Sequence, residues 1–171
     1  MITEMSSKMQ PSNNYARLIF AFFTAGGISL SLLSTFIPRF SGLVALCGAV
    51  MLVVAVTVFS RYVASVYYYD ITYDYKGTPI FVVRQMTGKR QSTLCRIDIA
   101  DIVNVEVENA KQRRAHKTPT GYMKYNYSPT LWAKETSRLT VEGKYEKSEI
   151  IIENKLYAEH LARISEELKS E

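Results

Sequence analysis

Few residues of this 171-residue chain are of a type and spacing that could do chemistry. Asp98 and Asp101 stand three apart, a spacing open to two carboxylates of an acid/base pair. They come just before an alternating apolar run, however, which fits turn formation or capping better. Cys95 needs a neighbouring base to act as a nucleophile, and the sequence puts no histidine near it, so it reads as a small strand residue. His116 lies in a polar basic segment and His160 near the C-terminus, neither within a metal-ligand pattern. No GxGxxG, P-loop, HExxH, GxSxG or CxxC occurs. The expectation is a non-enzymatic protein with no catalytic, cofactor-binding or metal residues.

One cluster has binding character. Lys111, Arg113, Arg114 and Lys117 fall within seven residues, with His116 among them. Beside an anionic leaflet each such cation contributes on the order of 1 kcal/mol; the competing reading is a solvated loop. The net charge of +5 and pI near 9.1 suit an anionic membrane surface. RNA binding through this cluster with Tyr122, Tyr125 and Tyr127 would also use cations and rings. Those tyrosines are better explained as strand residues, so no nucleic acid is expected.

The elements that must carry these residues differ sharply along the chain. Between Leu18 and Ser60 the one charged residue is Arg39. Leu18–Ile37 (18–37) and Ser41–Ser60 (41–60) are uncharged runs of twenty residues, each long enough as a helix to cross the roughly 30 Å hydrocarbon core. Pro38, Arg39 and Phe40 turn the chain straight back, predicting an antiparallel transmembrane hairpin over 18–60. A signal peptide would be shorter and would not be followed at once by a second span. Small residues at Ala21, Ala25 and Ser29, and at Ala45 and Ala49, offer a possible helix-packing seam; chance spacing is the alternative. Lys8, Arg17 and Arg61 flank the spans against Arg39 in the tip, which places both termini in the cytoplasm and residues 1–17 as a cytoplasmic tail. Cys47 and Cys95 fall at different depths, so no disulfide between them is expected.

From residue 67 to 171 the period changes to two. Tyr67–Tyr73, Pro79–Gln85, Arg90–Ile97 and Ile102–Glu108 read as four strands in meander order. Asn109–Thr120 reads as a loop. Tyr122–Tyr127, Ser137–Glu142 and Ser148–Glu153 supply three more strands. Tyr157, Leu161, Ile164 and Leu168 make one face of a C-terminal amphipathic helix, with Asn154 as its N-cap. The fold class expected is therefore an α+β membrane protein.

Four strands, a break, three strands and a helix is the element order of a pleckstrin-homology-like fold. With the hairpin, Tyr69–Asp70–Ile71–Thr72 and Arg96–Ile97–Asp98–Ile99–Ala100–Asp101–Ile102, nearly the whole chain resembles bacterial two-helix membrane proteins with a C-terminal PH-like domain. The resemblance implies two nearly orthogonal sheets closed at one end by the helix. It also implies an interaction or scaffold module at the inner membrane face that binds a protein partner or forms a homo-oligomer. The alternative is an anionic-lipid or envelope-stress sensor using the basic loop 111–117. The phosphoinositide site of eukaryotic PH domains is not carried over, because Lys76 is the single basic residue in the first strand turn. The partners expected are therefore the lipid bilayer and a protein partner or a second copy of the chain.

Overall fold

The computed structural model describes residues 5–9, 14–144 and 146–170. It divides into a helical unit, within residues 11–65, and a β-unit that joins the strand before the helices to everything after residue 65.

In the helical unit, α1 runs Asn14–Leu33 and α2 runs Ser41–Val58, ending in a π-turn over Phe59–Val63. Their apolar side chains face outward: Phe22 is 68% and Val53 67% exposed. Both helices are long and apolar enough to span a bilayer. The first span begins and ends about one turn earlier than the charge-free run. Ser34 and Thr35 turn their hydroxyls back onto the carbonyls of Ser31 and Leu32, and Pro38 forbids continuation.

The expected seam is not the contact between these two helices. Ala21, Ala25, Ser29, Ala45 and Ala49 are all exposed. The helices meet through Gly27 and Gly48, both buried. A Cβ on Gly27 would stand 3.0 Å from the Gly48 carbonyl, and one on Gly48 2.9 Å from the Gly27 carbonyl. Phe20 on Phe59, ring centroids 5.0 Å apart, extends the antiparallel pairing toward the ends. Glycine, lacking a Cβ, permits a closer backbone approach than alanine and so decides the face.

The β-unit holds two four-stranded sheets. The first comprises β1 (Met5–Met9), β2 (Ser65–Tyr73), β3 (Pro79–Thr87) and β4 (Arg90–Asp98), in that order. The second contains β5 (Ile102–Asn109), β6 (Tyr122–Asn126), β7 (Glu135–Glu142) and β8 (Lys147–Ile152), ordered β5-β7-β8-β6. Two expectations change here. The segment read as a tail contains a strand, β1, paired antiparallel to β2 from Met5↔Ile71 to Met9↔Tyr67. The fourth sequence-predicted strand, β5, does not continue the meander. A 3-10 turn at Ile99–Asp101 carries the chain into the second sheet, where β5 pairs with β7.

Alternation buries Tyr67, Tyr69 and Ile71 of β2 on one face, while β3 is buried continuously from Pro79 to Val83. The helix α4 (Lys155–Ser170) lays Tyr157, Leu161 and Ile164 onto the core formed with Phe81, Ile99, Leu139 and Ile150. Tyr69, Phe81 and Tyr157 meet with ring centroids 6.0–6.3 Å apart. Asn154 accepts from the Tyr157 N–H at 3.1 Å, the N-cap role expected of it. Its amide also donates to Ser7 Oγ of β1 at 3.0 Å. Ser6 donates to the buried Asp70, which also accepts from Arg84 Nε at 2.5 Å. These contacts pin β1 at two successive side chains.

Candidate functional site

Among the described residues the edge strands are β1 and β4 in the first sheet and β5 and β6 in the second, and β4 and β6 border a common hollow. A groove of about 720 Å³ separates them. Leu94, Cys95 and Ile97 line one wall, Tyr125 and Tyr127 the other, and Val141, Ser148 and Ile150 the floor. The edge of β4 is irregular. Its register with β3 shifts between Val83 and Arg84, which pair with Cys95 and Thr93 and so leave Leu94 as the extra residue of a bulge. The Tyr127 hydroxyl donates to the Leu94 carbonyl at 3.3 Å, bridging the groove at that point. Tyr125 stacks on Tyr127, rings 2° from parallel, and donates to Glu146 at 2.8 Å.

The groove collects three residues weighed earlier for chemistry. Burial pushes the Cys95 thiol up to about 11, against a smaller lowering by the Tyr127 hydrogen bond. The thiol is therefore protonated near neutrality and a poor nucleophile. Asp98 precedes the 3-10 turn at the rim and Asp101 is its last residue, so both lie in a turn, but Asp98 makes no side-chain cap bond. Burial, and next the charge of Asp98, raises the Asp101 carboxyl. Among the described residues neither aspartate has an ion pair, whereas Asp74 takes Arg96 at 2.7 Å. No group of three His, Cys, Asp or Glu is placed to hold a metal ion among the described residues. His160 sits half-buried on α4.

The basic segment is more ordered than a loop. Ala110–Ala115 forms a short helix, α3, opened by a capping box. Asn109 Oδ1 accepts from the N–H groups of Lys111 and Gln112, and Gln112 Oε1 accepts from the Asn109 N–H. The Asn-x-x-Gln spacing was the available sequence signal for this helix. Lys111, Arg114 and Lys117 are exposed. Arg113 instead turns inward, donating to the Ala133 carbonyl at 3.2 Å and to Thr136 Oγ1 at 3.4 Å.

Beneath this strap lies a buried charge cluster that sequence reasoning missed. Arg138, 1% exposed, gives Nε and Nη2 to the two oxygens of Glu108, both at 2.8 Å, and Nη1 to Glu149 at 2.7 Å. Register explains the grouping: Arg138 faces Glu106 on β5 and Ile151 on β8, so Glu108 and Glu149 are its diagonal neighbours on one face. His116 Nε2 lies 2.7 Å from Glu149 Oε1, and Thr118 donates to Glu149 Oε2 at 2.8 Å. Burial alone would raise the Glu149 carboxyl. The bonds from Thr118, His116 and Arg138 outweigh it and hold the group below its ordinary value.

No protein-family model matches this chain, and no curated protein matches it. The functional reading accordingly rests on the geometry above.

Proposed function

We propose that the protein is a non-enzymatic, membrane-anchored interaction module with a PH-like β-domain. In this reading the groove between β4 and β6 receives an extended segment of a protein partner or of a second copy. The observation that carries it is the pair of strand edges flanking one groove floored by Val141, Ser148 and Ile150. An added strand satisfies edge N–H and C=O groups, and alternate side chains enter the pocket to set specificity. The PH-like assignment draws support from two sheets followed by a C-terminal helix that covers the core. The crossing of β5 into the second sheet and the parallel pairing of β6 with β8 are departures from a simple meander.

The hairpin is read as crossing the cell membrane twice, with both termini cytoplasmic. Two features support this: β1 before the hairpin and β2 after it share a sheet, and basic residues favour their side over Arg39. A photo-crosslinking residue at Leu94, in the full chain in its native membrane, tests the groove. It should trap a discrete adduct that the same residue at exposed Tyr75 does not. Equal trapping at both positions, or none at Leu94, would remove the groove from the reading. Cysteines at Arg39 and Ser170 test the topology: an impermeant reagent should label the first and spare the second in intact cells.

A further inference from the structure

We propose that the strap over residues 110–118, with Trp132 and Lys134 beside it, is a preformed contact surface for an anionic lipid leaflet. It is separate from the groove and does not depend on it.

The strap is fixed at both ends. The Asn109 capping box sets its start, and His116 and Thr118 fasten its end to Glu149. Arg113 is consumed in this anchoring, so the cations left for a ligand are Lys111, Arg114 and Lys117. Lys111 and Arg114, three apart on a helix, lie on one side of it.

The strap leans on the segment that carries the protein's single tryptophan. The Ala110 N–H donates to the Lys134 carbonyl at 3.2 Å, and Arg113 reaches the Ala133 carbonyl. Trp132 is 57% exposed and Lys134 is exposed. The chain leading to Trp132 is held as well: Glu153 accepts from Ser128 Oγ at 2.9 Å, Thr130 N–H at 3.0 Å and Thr130 Oγ1 at 2.7 Å. The neighbouring exposed carboxylates are Glu135 and Glu106, the latter lining the same hollow as Gln112, Ala115 and His116. Four exposed cations against these two carboxylates leave the patch positive, and an indole settles at headgroup depth, where its ring and its N–H are both accommodated. Because the backbone that carries these groups is already pinned, little backbone freedom is lost on contact. The occupant is argued to be a leaflet because the same chain carries two helices of bilayer-spanning length.

Since the chain has one tryptophan, its emission reports this surface alone. The full chain is reconstituted into phosphatidylcholine vesicles, with or without phosphatidylglycerol, containing lipids brominated near the top of the acyl chain. Trp132 emission should shift to the blue and be quenched with phosphatidylglycerol present, and should recover at high salt. The exposed-site triple variant Lys111→Gln/Arg114→Gln/Lys117→Gln should lose most of the quenching while keeping the wild-type circular dichroism. Emission identical in the two vesicle types, or quenching that survives in the variant, overturns the proposal. So does a response confined to soluble heparin or an RNA oligonucleotide, which would assign the patch to a free polyanion.

Discussion

On the outer face of the second sheet, Arg138 divides its guanidinium between Glu108 and Glu149, and a capped strap closes over all three. At the groove, Asp98 and Asp101 face each other's charge without an ion pair among the described residues, beside two strand edges. The difference separates two uses of polar groups. Charges that are buried and fully paired set register and hold a cover in place. Groups left partly desolvated beside open backbone are the ones with bonds still to make, which is why the proposed partner site is placed at the groove.

The contrast can be broken most severely at Arg138. Arg138→Met strands two carboxylates in a dry site and should destabilise the β-unit by about 3–5 kcal/mol. Adding Glu108→Gln and Glu149→Gln should restore part of this, read as thermal unfolding of the full chain in detergent. Wild-type stability in Arg138→Met alone would show that the cluster contributes nothing.

The helix pair offers a second, smaller test. Gly48→Val places atoms within 3 Å of Ser31 Oγ and the Gly27 carbonyl, and should cost about 1–3 kcal/mol of helix pairing. Ala25→Leu and Ala45→Leu point outward and should leave pairing unchanged. A cysteine pair across the helices, scored by crosslinking yield, distinguishes these outcomes.

At the groove, a thiol raised to about 11 should react with iodoacetamide at pH 8 roughly a hundredfold more slowly than an ordinary cysteine. Cys47 is replaced by serine for this measurement, and the rate should climb steeply as pH rises.

Acid gives the gentlest perturbation. The folded-state value of Glu149 is depressed, so its contribution is complete above its ordinary 4.5 and is lost as pH falls through the folded value. Amide protection factors in residues 110–118, corrected for the pH dependence of intrinsic exchange, should therefore fall at low pH before those of the core. In Glu149→Gln that acid-dependent step should disappear.

What the sequence made legible follows from where the determinants lie. The two spans show because lipid demands twenty apolar residues in a row, and β2, β3, β7 and β8 show because one or both faces are buried. The face of α4 carried by Tyr157, Leu161 and Ile164 is legible for the same reason. Beyond that, pairing is non-local. Met5–Met9 has no alternating pattern and becomes a strand only because β2 offers its edge. Nothing within Ile102–Asn109 announces that its neighbour is β7 rather than β4. The Arg138 cluster depends on that same register, so it stays invisible until the strands are placed. The helix seam was misread because spacing counted alanines, whereas the closest approach is made at Gly27 and Gly48.

The pairing of β1 with β2 also bears on the order in which the protein folds. The strand made first must find its neighbour across residues 10–64, and closing a flexible loop of that length costs on the order of 3–4 kcal/mol. An antiparallel helix pair with Phe20 on Phe59 near its open end brings the two ends of that loop together in advance. The hairpin thus works as a covalent staple would, lowering the closure cost of pairing β1 with β2. A fragment beginning at residue 66 would meet the opposite fate: with Ser6 and Ser7 gone, Asp70 and Asn154 each lose a partner and the bare edge of β2 is left open to aggregation.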